Sequence, residues 1–194
     1  MKKNTSSDNT AIGYRALIEN TSGSYNTVLG AYAGDSITSG GQNVCIGNNA
    51  GSAFTTVHHC VYIGKDSGQN ATGNGNTGVG LDSLRGVTGT SNTSLGRGAG
   101  EDLTSGGNNL ILGAFAEASS NSVSNEITLG DTSITKFRIP GINFALKDNG
   151  GTPSSGQVLT ADGSGDGYWA TPSAGTTINN NANNRLITGS GTAN

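Results

Sequence analysis

The sequence predicts an all-β chain, a parallel β-solenoid (β-roll) of eight coils of 16–17 residues. Three observations carry this expectation. Glycines recur at Gly13, Gly30, Gly47, Gly64, Gly80, Gly96, Gly113 and Gly130, in steps of 17, 17, 17, 16, 16, 17 and 17 residues. A period held that tightly places each unit in the same environment as its neighbours, as stacking does. An aliphatic residue precedes every one of these glycines: Ile12, Leu29, Ile46, Ile63, Val79, Leu95, Leu112 and Leu129. Finally, the chain is 32% hydrophobic, 5% aromatic and 12% charged, with 33 glycines in 194 residues, which is too little apolar material for a large globular core.

Residues 1–8 carry two lysines and no apolar run, so they read as a polar arm and not as a secretory signal. The solenoid is expected over residues 9–136. Each coil opens on an amide four residues before its glycine (Asn9, Asn26, Asn43, Asn76, Asn92 and Asn109), with Cys60 and Glu126 in the remaining two slots. Stacked amides can hydrogen-bond from coil to coil. A short strand follows, whose side chains alternate between two faces. The aliphatic residue and the residue two before it share one face, and that face is the expected core. Small residues stand three places after each glycine (Ala16, Ala33, Ala50, Ser67, Ser83, Ala99, Ala116 and Ser133), and a threonine column from Thr21 to Thr104 stands eight places after it. Ser, Gly and Asn-rich return paths join one coil to the next.

One dependable aliphatic per coil does not offset the ordering of 16–17 residues. The aliphatic column is therefore expected to pack against other chains, the coils being intertwined or packed as a homotrimer around one axis. Residues 137–170 read as a capping segment (KFRIPGINFAL, from Lys136 to Leu146) followed by a β-hairpin in which Gln157 to Ala161 and Tyr168 to Ala170 flank a glycine-rich turn. Residues 171–194 read as a flexible Asn, Gly, Ser and Thr-rich tail.

The repeats NTAIGYRAL (9–17), NTVLGAYAG (26–34), NTGVGLDSL (76–84) and NTSLGRGAG (92–100) resemble the N-T-A-I-G-x-x-A repeats of bacteriophage tail fibres. They are also similar to the V-A-I-G head repeats of trimeric autotransporter adhesins, a left-handed parallel β-roll wound as a trimer. The segment SGQVLTADGSGDGYW and the tail NNNANNRLITGSGTAN resemble linkers of cyanophage structural proteins. This resemblance implies a virion fibre or another extracellular trimeric fibre, and it carries no catalytic residue.

Local motifs give little support to other chemistries. Gly73-x-Gly75-x-x-Gly78 matches a dinucleotide fingerprint but precedes a repeat strand and opens no helix. Asp162-x-Ser164-x-Asp166-Gly167 begins like a calcium loop, yet Ser173 stands where the bidentate carboxylate belongs. His58 and His59 are candidate metal ligands that a trimer would multiply threefold, and without a second ligand pair they read as return-path residues. Cys45 and Cys60 are two positions out of register on adjacent coils, so free thiols are expected. No catalytic or cofactor-binding residue is assigned, since nucleophile elbow, H-E-x-x-H and Walker patterns are missing. The carboxylates Glu19, Asp35, Asp66, Asp82, Glu101, Asp102 and Asp131 fall at varying repeat positions, as on a solvated face. A net charge of −3 with ten scattered basic residues gives no phosphate-tracking stripe, so no nucleic acid is expected. No run reaches the length of a membrane span.

The function expected from the sequence is a structural, non-enzymatic fibre segment of a virion: a rigid trimeric spacer that also meets a host cell-surface glycan or protein receptor. Its partners are then other copies of itself, other virion tail proteins and that receptor. Tyr14, Tyr25, Tyr32, Phe54, Tyr62 and Phe115 are the candidate contact residues, with packing as their alternative role. A cellular extracellular filament or trimeric surface adhesin is the rival reading, and an ice-binding solenoid a further one.

Overall fold

The eight repeat strands each centre on the residue two before the repeat glycine: β1 (Thr10–Ile12), β2 (Thr27–Leu29), β3 (Val44–Ile46), β4 (Val61–Ile63), β5 (Thr77–Val79), β6 (Thr93–Leu95), β7 (Leu110–Leu112) and β8 (Ile127–Leu129). They form one parallel sheet in sequence order, every strand paired with the next. In this computed structural model, which describes residues 6–136, 158–161 and 167–171, the chain is therefore a parallel β-solenoid with no helix among the described residues. The register follows the repeat: Thr10 faces Thr27, Ile12 faces Leu29, and Ile63 faces Val79 across the shorter coil. A separate unit holds an antiparallel pair, β9 (Val158–Ala161) and β10 (Gly167–Ala170), with Ala161 opposite Gly167. Most of the arm, the capping segment beyond Lys136, the turn at 162–166 and the tail beyond Thr171 lie outside the described residues.

Backbone bonds between successive coils continue beyond the strands. Thr10 N–H donates to Asn26 O at 2.8 Å and Thr27 N–H to Asn43 O at 2.8 Å, while at the corners Gly34 N–H reaches Ala50 O at 2.9 Å. The repeat glycine is what lets the chain turn so close to its neighbour: Gly30 has φ +142°, and a Cβ there would overlap the Gly47 carbonyl. In each of the first six coils three further positions of the repeat sit in the left-handed region. In the second coil these are Tyr25, Tyr32 and Gly34, at φ +63°, +58° and +52°.

The core lies on the opposite face of the strands from the one the sequence suggested. From the second strand to the seventh the central residue points inward: Val28, Cys45, Tyr62, Gly78, Ser94 and Ile111 are buried. The aliphatic column from Ile12 to Leu129 points outward, with Ile12 61% and Leu95 55% exposed. A three-residue strand has one side chain on one face and two on the other, and here the single one faces in. The interior is completed by a column that the aligned repeats do not advertise, Ile37, Phe54, Ala71, Val87 and Leu103, seven residues after the glycines. Each coil thus has an interior of its own, and the underfilled coil that argued for companion chains is not observed.

The amide column runs inside. Asn26 donates through Nδ2 to Asn9 Oδ1 at 3.1 Å and to Gly40 O at 2.9 Å, and its backbone N–H also reaches Asn9 Oδ1. The same three bonds recur at Asn43, Asn92 and Asn109. Cys60 interrupts the column, its N–H still donating to Asn43 Oδ1 at 3.0 Å. At the far end Glu126 N–H takes Asn109 Oδ1 at 3.0 Å, and its carboxylate accepts from Ser119 and Thr128.

Candidate functional site

The outer face of the eight-stranded sheet is a regular surface that the repeat builds. Each strand presents two side chains there, because its central residue faces the core. One column is the aliphatic series Ile12, Leu29, Ile46, Ile63, Val79, Leu95, Leu112 and Leu129. Beside it, Thr10, Thr27, Thr77 and Thr93 share a column with Val44, Val61, Leu110 and Ile127. No charged residue interrupts either column. At strand spacing the face is about 34 Å long and two side chains wide. In-register parallel pairing carries both columns unbroken from β1 to β8, and exposed apolar side chains in such a row mark an interaction surface.

Two corners flank this face. At the corner after the strands, residues one and two places beyond the glycine stand side by side from coil to coil. Tyr14 meets Tyr32 edge to face, with ring centroids 5.3 Å apart, and the Arg15 guanidinium lies 5.8 Å over the Tyr32 ring. Farther along the same corner Lys65 pairs with Asp66 at 2.6 Å and Asn49 Nδ2 donates to Asp66 at 2.8 Å. Burial raises the Asp66 carboxyl, but its bonds from Lys65 and Asn49 outweigh that and hold it below the ordinary carboxylate value. Beyond lie Asp82 with Arg85, 3.6 Å apart, and Arg97 over the Phe115 ring at 4.7 Å.

The corner before the strands carries the histidines. His58 is half-buried and accepts the Gly41 N–H through Nδ1 at 3.1 Å; His59 is exposed, its ring 6.1 Å from that of His58. With Nδ1 of His58 engaged, the pair offers a metal little, and among the described residues no group of three His, Cys, Asp or Glu side chains could hold one. Cys45 and Cys60 are free and buried, and burial pushes both thiols up.

Of the aromatic contact candidates, Tyr14, Tyr25, Tyr32 and Phe115 are exposed as expected, whereas Phe54 and Tyr62 are fully buried. Tyr62 occupies a strand centre and Phe54 the second inward column, with ring centroids 6.0 Å apart. Asp66 likewise departs from the expected solvated face, being buried. The threonine column forms an outer ladder: the hydroxyls of Thr21, Thr38 and Thr88 donate to the Thr carbonyl of the next coil at 3.0, 3.1 and 3.2 Å. Among the described residues no helix is long and apolar enough to cross a membrane. Comparison of the chain with protein-family models, curated proteins and solved structures found no match.

Proposed function

We propose that this chain is a structural, non-enzymatic segment of a virion tail fibre, in which three copies bring their outer sheet faces together around one axis to make a rigid spacer. One observation carries the reading: an uncharged, mainly aliphatic face repeats through all eight strands on the outside of a coil that has already filled its interior. Nothing inside the chain needs those side chains, so their uniformity answers to something beyond it. A closed ring of identical faces shields every rung equally and leaves no apolar edge for further addition. Stiffness comes from backbone and amide hydrogen bonds that link each coil to the next.

Light scattering on the purified chain tests the assembly. The expected mass is about three times 19.3 kDa, and a mass of one chain at every concentration overturns it. Electron microscopy tests the location: a virion segment attaches to a particle, while a cellular filament grows end to end without limit.

A further inference from the structure

We infer that the corner ridge following the strands is a binding site for an extended acidic polysaccharide, with Tyr14, Tyr32 and Phe115 as stacking platforms and Arg15 and Arg97 as carboxylate-binding groups. The first indication is the residue type chosen at one corner position, whose left-handed backbone the repeat imposes. The position two residues after each glycine is left-handed in every coil from the first to the seventh, with φ between +57° and +62°. Asn49, Asp66, Asp82 and Gly98 are residue types that tolerate it. Tyr32 and Phe115 are not, yet they stand at φ +58° and +57° with 38% and 49% of their surface exposed. Bulky side chains held in a costly conformation and left in water point to a role outside the fold.

The second indication is the arrangement of those rings. In both places the residue one beyond the glycine of the preceding coil lies against the ring: Tyr14 against Tyr32, and Arg97 over Phe115. Gly98 makes room for the Phe115 ring, which a Cβ there would meet at 3.0 Å. Tyr14 is itself 67% exposed. Each platform therefore combines an aromatic surface with a guanidinium set over it, 5.8 Å from the Tyr32 centroid and 4.7 Å from that of Phe115. Aromatic faces pack on the C–H faces of sugar rings, and a guanidinium grips a carboxylate through two parallel N–H donors.

The third indication is spacing. The two platforms lie five coils apart along one corner, about 24 Å at strand spacing. Between them run the Asn48 and Asn49 amides and the Lys65–Asp66 and Asp82–Arg85 pairs, a polar edge. A linear polymer can engage both platforms at once along such an edge, and each contact raises the effective concentration for the other. A compact protein partner would need a broader surface, about 800 Å² on each side. The proposal rests on the fibre reading in one respect: the rings must stay outside the contact between copies.

Calorimetric titration with polygalacturonate oligomers, and with neutral dextrins of matching length, tests this. Saturable binding is expected for the polyuronate, weaker as salt rises, and none for the dextrin. Tyr32→Gly and Phe115→Gly install the residue that the sixth coil carries at the same place, so melting temperature should hold or rise while affinity falls about ten-fold per ring. Arg15→Gln with Arg97→Gln should remove the preference for acid. Equal binding of dextrin, wild-type affinity in the ring variants, or no polyuronate binding overturns the proposal. A changed mass of the ring variants by light scattering also overturns it, by assigning the rings to contacts between copies. A wild-type chain that stays single yet binds polyuronate overturns the fibre reading alone.

Discussion

At the scale of single residues, the amides inside the solenoid matter most for stability and the corner residues least. Asn92 donates through Nδ2 to Asn76 Oδ1 and Gly106 O, while its Oδ1 accepts from the N–H and Nδ2 of Asn109. Asn92→Ala leaves those buried partners unsatisfied, so a loss of about 2 to 4 kcal/mol is expected in urea unfolding. Asn108→Gly, which removes an exposed bond to Asn125 and suits the left-handed backbone at that position, should change stability by about 0.5 kcal/mol or less. Asp66 makes a pH prediction. Its folded carboxyl titrates below the ordinary value of 3.8, so its contribution is complete above that value and is lost as pH falls below it towards the folded one. Urea midpoints followed through about pH 6 to 2 should show that acid limb flattened in Asp66→Asn. The amide column was legible in the sequence because one residue type recurs at one spacing. The acid pair was not, since Lys65 and Asp66 occur in a single coil and only the stacking of Asn49 on Asp66 shows why the carboxylate is held.

At the scale of the coil, the interior is a limited volume shared by the strand centre and the positions three, four and seven after the glycine. The fourth coil spends it on Tyr62, and the residue four after its glycine is Gly68, where a Cβ would overlap the tyrosine ring. The fifth coil reverses the choice, with Gly78 at the strand centre and buried Leu84 at the second place. The sixth places Ser94 at the strand centre and Gly100 beside Leu84 and Ile111, the seventh coil's strand-centre residue. In the fourth and fifth coils a large side chain at one place stands against a glycine at the other, as close packing requires. Gly68→Leu alone should destabilise the chain by about 3 kcal/mol or more, and Tyr62→Gly alone by about 3 to 5 kcal/mol. The double variant, which copies the fifth coil into the fourth, should recover much of that loss, giving a coupling energy of about 1 to 3 kcal/mol in a thermal or urea double-mutant cycle. Independent, additive losses would refute the shared interior. This level was hidden from sequence reading because the positions vary together. A column whose members compensate one another looks random when each position is read alone.

At the scale of the whole molecule, the outer face decides what the solenoid can join. Leu29→Lys with Leu95→Lys puts two charges on exposed positions that no interior residue contacts from within the coil. The variant should keep its β circular dichroism and melt within a few degrees as a single chain, because surface substitutions away from packing cost about 0.5 kcal/mol or less, while its mass by light scattering drops to that of one chain. Loss of fold would instead make the aliphatic column part of the core. Two consequences of the sequence needed no structure: the number of coils and their register, since glycines 16–17 residues apart oblige the backbone to return at fixed intervals, and the amide line, since a repeated polar residue finds its own copy one coil away. Which strand face is inside belonged to tertiary structure alone. Uniformity had marked the aliphatic column as the core, but uniform columns occur both inside, as the amides do, and on the outer face, while the large apolar side chains of the interior differ from coil to coil because they share one limited volume.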